Sequence, residues 1–295
     1  MQRYVFDSKN FNICGIDENG YGPLLGPLVV TGVSMEVTGA DPFSASEIQG
    51  YKFPLPLKDS KEIFRRSTAS YKLGESVALS LLNSLFGSPR SLTQLLSAIS
   101  VETIELKEYG IDDLELPAFG GYPNENLIRY LSVSSLRVMG VKSKIVMADL
   151  FNKLVMETDN KSLVDFICFL ELVQGFNCDT YLLGKIGGLI HYNKVFQRFG
   201  IHCEIVKETF TISSYKINEN RLLHFILNGD RRYLPIMFAG IIGKYLRELI
   251  MLGLSRALGY QDLIPFASGY HHDERTFLLL EKIPRDLKEK WVRIR

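Results

Sequence analysis

Asp17 and Glu18 are adjacent carboxylates that close an apolar run, Ile13-Cys14-Gly15-Ile16, and a glycine-rich turn follows at once, Asn19-Gly20-Tyr21-Gly22-Pro23 through Gly26-Pro27. A second apolar run, Leu28-Val29-Val30, begins directly after it. The pattern predicts strand, loop, strand, with both acids where the first strand stops. Neighbouring strand side chains point to opposite faces, so the pair can serve one site only where the chain leaves the regular sheet. Gly20, Gly22 and Gly26 supply the backbone freedom for that exit. Two carboxylates beside a bare backbone loop suit a hard divalent cation plus a close-approaching backbone ligand. The bland alternative is a solvated pair at a loop edge, and the flanking glycines and prolines weigh against it. A third acid, Asp230, follows Gly229 at the end of the run 221–228 and precedes a long apolar pattern. It can cap a helix, hold a cation, or do both.

The elements that must position these acids follow from periodicity. Strands are expected over 11–18, 27–37, 143–148, 179–184, 202–208 and 221–228. Lys58-Asp59-Ser60-Lys61 opens a helical pattern that runs to about Phe86, with Ser60 as its N-cap. Further helices are expected near 124–139, over 160–174 with Asn160 as cap, near 189–199, over about 233–258, and as a short element ending at Lys282. Residues 38–56 read as a surface loop, Ser213-Ser214-Tyr215 as a polar loop, and the end of the chain as a charged tail. The segment 101–122 is acidic and turn-rich, and reads as an insertion that leaves the core. Interleaved strands and helices argue for a single α/β domain over residues 1–295.

Composition sets the outer bounds. At 295 residues, 46% hydrophobic and 23% charged, the chain has an ordinary globular make-up, and a formal charge of +1 gives no global sign of nucleic-acid binding. Any such binding must use locally concentrated cations. Candidates are Lys58, Lys61, Lys185, Lys194, Lys216, Arg231, Arg232, Lys244 and Arg247. Lys244 and Arg247 stand out, being spaced i, i+3 on an otherwise apolar helix. The four cysteines lie far apart and read as buried free thiols in a reducing cytosol. No apolar leader or membrane-length run is visible, so a cytoplasmic location is expected.

Competing motifs fall away. Gly20-x-Gly22-x-x-x-Gly26 is one residue too long for a dinucleotide loop and follows two acids that would repel a pyrophosphate. Gly240-x-x-Gly243-Lys244 is too short for a P-loop. His271 and His272 adjoin and make a poor chelate. No nucleophile elbow is present.

Taken together, the opening stretch resembles the first motif of the type 2 ribonucleases H, in which an Asp-Glu pair ends the first strand and a Gly-x-Gly-Pro loop follows. Gly229-Asp230, then Leu234 through Ala239, Lys244 and Arg247, resembles the family's Gly-Asp segment and its Ala-Ser-Ile-x-Ala-Lys-x-x-Arg helix, with Gly240 in place of the serine. Ser268-Gly269-Tyr270, with Asp273 and Phe277, resembles the closing Gly-Tyr motif. Lys58-Asp59-Ser60-Lys61 resembles the Asp-Ser-Lys segment. The resemblance spans nearly the whole chain. It implies a ribonuclease H-like mixed sheet flanked by helices, and endonucleolytic hydrolysis of RNA in RNA–DNA hybrids. It also implies Asp17, Glu18 and Asp230 as catalytic acids and as ligands of Mg2+ or Mn2+. Gly20, Tyr21, Gly22, Lys58, Ser60, Lys61, Lys185, Lys244, Arg247 and Tyr270 fall on the side of the substrate.

Two departures matter. The family's third carboxylate ends the strand that corresponds to 179–184, and that position is Gly184 here. Asp179 lies at the other end of the strand, roughly 17 Å away. Asp149 and Glu208 also close expected strands and are the remaining recruits. One cation site then survives and the second is weakened, with Lys185 either opposing a cation or placing its ammonium there. In-line hydrolysis by two cations would be crippled while binding survives. The alternative is therefore a catalytically inactive homologue that binds nucleic acid, or a protein partner through the acidic 102–115 segment. The second departure is Tyr21, where the family usually carries Arg or Lys, so the loop keeps its amides and loses a fixed cation. Tyr21 either stacks on a sugar or base or covers the core.

Overall fold

In the computed structural model, which describes residues 9–133, 136–187, 189–218, 221–260 and 266–294, the apolar alternation of the first two runs separates into two faces. Ile13, Val29, Val33, Met35 and Val37 enter one buried cluster; Cys14, Ile16, Leu28 and Val30 enter the other. One sheet therefore lies between two helical layers. Its strands are β1 (Lys9–Asn19), β2 (Leu28–Gly39), β3 (Leu136–Val146), β4 (Thr180–Gly184), β5 (Cys203–Glu208), β6 (Ile212–Ile217) and β7 (Arg221–Ile226). Their order is β3-β2-β1-β4-β7-β6-β5. β1, β2 and β3 pair antiparallel, β4 pairs parallel with both β1 and β7, and β6 and β5 return antiparallel. The mixed sheet flanked by helices, expected from the sequence, is present. β5 forms an outer edge, with Ile205 and Val206 exposed and its register against β6 shifted between Ile205 and Lys207.

Several boundaries differ from expectation. The loop 38–56 contains a short helix, α1 (Pro42–Ser46), started by Asp41, whose carboxylate accepts from two backbone amides. The helix expected to run from Ser60 to Phe86 is two helices, α2 (Ser60–Ile63) and α3 (Thr68–Phe86). Asp59, not Ser60, is the first N-cap, accepting from the amides of Lys61 and Glu62 at 3.0 Å each. Ser67 caps the second. After α4 (Leu92–Ile99), the helix α5 (Glu125–Val133) stops early, and β3 starts at Leu136. Residues 134 and 135, within the helix expected over 124–139, lie outside the described residues, as does Gly188. Beyond β3 come α6 (Ala148–Thr158) and α7 (Lys161–Gly175), the latter capped by Asn160 as expected. Helix α8 (Tyr192–Arg198) precedes β5. Residues 213–215 lie in β6 and are not a polar loop; α9 (Leu234–Ala257), α10 (Glu274–Lys282) and α11 (Arg285–Trp291) follow, the last replacing the expected tail. None of the helices among the described residues is long and apolar enough to cross a membrane. Cys14, Cys168 and Cys178 are buried free thiols; Cys203 is partly exposed.

The acidic segment 101–122 does not leave the core. Leu106, Ile111, Leu114 and Phe119 are buried in the cluster that holds α9. Its return is organised by Glu75 of α3, whose carboxylate accepts from the amides of Ala118 (2.6 Å), Phe119 (2.7 Å) and Gly121 (2.8 Å). The Tyr245 hydroxyl donates to the same carboxylate at 2.8 Å. Part of the acidity of 102–115 is likewise used internally, Glu102 on Lys144 at 2.5 Å and Asp113 on the Thr93 amide at 2.9 Å. Removing the Glu75 carboxylate strands several buried donors together, so Glu75→Ala is expected to lower unfolding free energy by about 3 kcal/mol. A urea titration of the two proteins measures this; a change within about 0.5 kcal/mol would show that the segment is held by its apolar contacts alone.

Candidate metal centre

The first strand does not leave the sheet at its acids. Asp17, Glu18 and Asn19 remain opposite Thr31, Val30 and Val29 of β2. It is β4 that stops: its ladder with β1 ends at Ile16 and Leu183, and Gly184 pairs onward with Ile226 of β7. The two acids thus straddle the sheet where β4 runs out, and the bare backbone of Gly184 lets them meet around its end. A Cβ at Gly184 would lie 2.7 Å from Asp17 Oδ1 and 3.5 Å from Glu18 Oε2. On the α9 side, a Cβ at Gly240 would lie 2.6 Å from Asp17 Oδ2. The Asp17 carboxylate is therefore seated between two glycines, which are the two positions where the family pattern carries Asp and Ser. Gly184 and Gly240 are therefore physically one feature.

Asp230 joins them from a single 3-10 turn, Gly229–Arg231, between β7 and α9. It does not cap α9, whose N-cap is Tyr233 with no side-chain bond. Asp17, Glu18, Ser60, Lys61, Gly184, Lys185 and Asp230 line one cavity of about 140 Å³, together with Asn19 and Asn228. Burial raises the Asp17 carboxyl well above its ordinary value, and the charges of Glu18 and Asp230 push it further. Burial likewise lifts Glu18 to about 7, with Lys61 opposing and Asp230 adding. Asp230 is raised by burial and then by Asp59, against Lys61 and Arg231.

A carboxyl whose pKa is higher folded than unfolded binds more protons in the folded state, so stability falls as pH rises between the two values. For Glu18 that window runs from its ordinary value of 4.5 to about 7. Without added divalent ions, the wild type is expected to lose stability across that window more steeply than Glu18→Gln. Thermal unfolding at pH 5, 6, 7 and 8 tests the difference; parallel profiles would remove Glu18 as the source.

The other expected contacts divide. Lys61 and Lys185 stay at the cavity, but Lys185 donates to the carbonyls of Thr209 (2.9 Å) and Phe210 (2.8 Å), and burial lowers its pKa. Lys58 pairs with Glu62 at 3.1 Å on the surface. Lys244 and Arg247 do not present a phosphate-facing pair, because α9 is buried along nearly its whole length and its cations need internal partners. Lys244 meets Glu248 at 2.5 Å, and Arg247 is fully buried, donating to the carbonyls of Leu25 (3.1 Å) and Ser268 (2.9 Å). Tyr270 lies against that guanidinium, 5.6 Å from ring centroid to Cζ. The Tyr21 hydroxyl is 2.8 Å from Ser162 Oγ, on α7. Neither recruit for the missing acid reaches the cavity. Asp149 sits in the first turn of α6 and accepts from Tyr109 at 3.2–3.3 Å; Glu208 accepts from Tyr215 and meets His191 at 2.7 Å.

Sequence reasoning missed Asp165. It sits on α7, fully buried, and neither carboxylate oxygen has a hydrogen-bond partner among the described residues. Burial raises its pKa, the Glu18 charge adds to this, and Arg293 opposes it. The signal was present: an acid inside Leu163-Val164-Asp165-Phe166, on a helix stripe shared with Cys168, Phe169 and Leu172, has no bland reason to be there.

Among the described residues, no three His, Cys, Asp or Glu side chains are already gathered at metal-ligand spacing. The donor chemistry nevertheless fits a hard cation: three carboxylates from two segments face one cavity, and the Asp230 charge raises the pKa of both Asp17 and Glu18, with Lys61 as the opposing charge. No family model matches the chain, and no curated protein matches it. Solved structures do. Ribonuclease HII of Archaeoglobus fulgidus, in its complex with PCNA, is 16% identical over 96% of this chain and 94% of its own, with a TM-score of 0.45. Ribonuclease H2 of Pyrococcus horikoshii is 14% identical, with 95% and 93% covered and a TM-score of 0.47. The Bst ribonuclease HIII in complex with Mn2+ is 12% identical over 96% of this chain and 66% of that one, with a TM-score of 0.46.

Proposed function

We propose that this protein is a ribonuclease H type 2-like nuclease that acts on RNA–DNA hybrids with a divalent cation, Mg2+ or Mn2+, and with hydrolysis weakened by the glycine at position 184. The observation that supports it most directly is the meeting of Asp17, Glu18 and Asp230 at one cavity despite more than two hundred residues of separation along the chain. These three acids would hold the cation, which supplies Lewis-acid activation of water and charge neutralisation at the scissile phosphate. Lys61 at the mouth attracts the phosphate backbone. The glycine loop after Glu18 brings backbone close to the sugar, and the raised carboxyl pKa values favour exchange of protons for a cation as pH rises through neutrality.

A second reading, a catalytically silent relative that binds nucleic acid, is favoured by one specific observation. The Asp17 carboxylate occupies the space that a side chain at Gly184 would need. The test is direct: excess protein, a labelled RNA–DNA hybrid at low salt, and Mn2+ varied up to millimolar levels. Slow cleavage that depends on Mn2+ and is confined to the RNA strand is expected. Tight binding without cleavage supports the silent relative, and absence of binding removes both readings.

A further inference from the structure

The connection between β5 and β6, residues 209–211, is anchored to two residues that line the cavity. Lys185 Nζ donates to the carbonyls of Thr209 (2.9 Å) and Phe210 (2.8 Å), and the Leu227 amide donates to Thr211 O at 2.9 Å. Within the turn, the Thr209 amide donates to Ile212 O at 2.8 Å, and the Ile212 amide donates to Thr209 Oγ1 at 3.1 Å. Every carbonyl of the connection therefore has a donor, and its backbone is fixed on the cavity rim. Hairpin connections ordinarily use Gly, Asn, Asp or Ser. This one is Thr-Phe-Thr, and Phe210 is 71% exposed, the most exposed phenylalanine among the described residues. A large apolar ring left in water on a rigid turn beside a polar cavity contributes little to the fold and is free to meet a ligand.

A base inside a duplex has both faces covered by its neighbours. Only an unpaired base, or one at the end of a paired segment, offers a free face to a phenyl ring. We propose that Phe210 is a stacking platform for an unpaired base, positioned by Lys185, and that the nucleic acid taken at this cavity is a hybrid with single-stranded nucleotides beside its paired segment. This rests on the nucleic-acid reading above and names the substrate class within it. A phenyl ring carries no hydrogen-bonding group, so the platform accepts any base. Lys185, next to Gly184, thus acts on the substrate through the turn, because its ammonium is already committed to two carbonyls.

The experiment compares affinities for a blunt RNA–DNA hybrid and for a forked one, with unpaired tails on both strands at each end. Ca2+ replaces the catalytic cation so that nothing is cut. Phe210→Ala is expected to weaken binding of the forked hybrid about tenfold, as for the loss of one stacked base, and of the blunt hybrid less than twofold. Phe210→Tyr should bind as wild type does, whereas Phe210→Leu, apolar but without a flat face, should fall with alanine. Lys185→Met should weaken forked binding severalfold with an unchanged salt slope, since a lost phosphate contact would lower that slope by close to one. In Phe210→Trp, emission should be quenched by the forked hybrid and not by the blunt one; the native tryptophan, Trp291, is buried and leaves this signal clear. Because residue 210 is exposed, melting temperatures of its variants should match wild type. Equal losses on both hybrids, or none in Phe210→Ala, overturn the inference, as does a leucine variant that binds like wild type. A reduced salt slope in Lys185→Met overturns the positioning role of Lys185. A wild type that binds neither hybrid at low salt overturns the proposed function itself.

Discussion

Asp17→Asn is expected to reduce cation-dependent hybrid cleavage by about a thousandfold or more, while making the metal-free protein more stable at pH 8. The two effects share a cause. The Asp17 carboxyl is raised by burial and by the charges of Glu18 and Asp230, so its ionised form is held at a loss that asparagine removes. The same ionised oxygens would grip the cation, and losing one ligand from a set of three withdraws several kcal/mol of stabilisation from the reacting phosphate. A thousandfold corresponds to about 4 kcal/mol. Thermal unfolding supplies a readout that does not depend on turnover. Mn2+ should raise the wild-type midpoint in proportion to the logarithm of its concentration and leave Asp17→Asn almost unmoved. Equal shifts in both proteins would place the cation elsewhere.

Gly184→Asp is expected to act in opposite directions with and without metal. Its Cβ would lie 2.7 Å from Asp17 Oδ1, so the Asp17 side chain must turn, and Gly240 is the bare position that bounds the other side of that carboxylate. A fourth acid in the same cavity also adds to the repulsion already present. In chelator the variant should lose about 2 kcal/mol of stability. With Mn2+ the order should invert: tighter cation binding, on the order of tenfold or more, and hybrid cleavage increased by about a hundredfold. Adding Gly240→Ser, which crowds Asp17 from the second side, should sharpen the loss in chelator. If cleavage stays flat while Mn2+ binds more tightly, the scaffold is a binder whose chemistry is lost for other reasons.

The strands were readable because burial on both sides of the sheet makes them near-continuous apolar runs, as in Ile13-Cys14 and Val29-Val30, whose adjacent members enter opposite clusters. The acids were readable because Asp and Glu at the ends of apolar runs stand out. What could not be read was how Asp17 and Glu18 come together. The cue lay not in their own strand, which stays paired through Asn19, but in the ladder with β4, which ends three residues earlier, at Ile16. The Asp59 cap was missed because Ser60 beside it is an equally good capping type, and only backbone direction separates them. The inward course of Arg247 and Arg293 was hidden by a property of long cations: on a sequence they look solvated, and it is the carbonyls of Leu25 and Ser268 for the first, and of Gly20 and Gly26 for the second, that hold them inside. Asp165 was legible in principle, since an acid on an apolar helix stripe needs an explanation.

The shifted register of β5 bears on how concentrated solutions of this protein should behave. That strand carries Ile205 and Val206 outward on an open rim of the sheet, which is the kind of border that recruits other chains into fibrils. The extra residue between Ile205 and Lys207 bends the border and misaligns its free amides. The kink and the strand's own charges, Glu204, Lys207 and Glu208, together make that border a poor template for pairing with another chain.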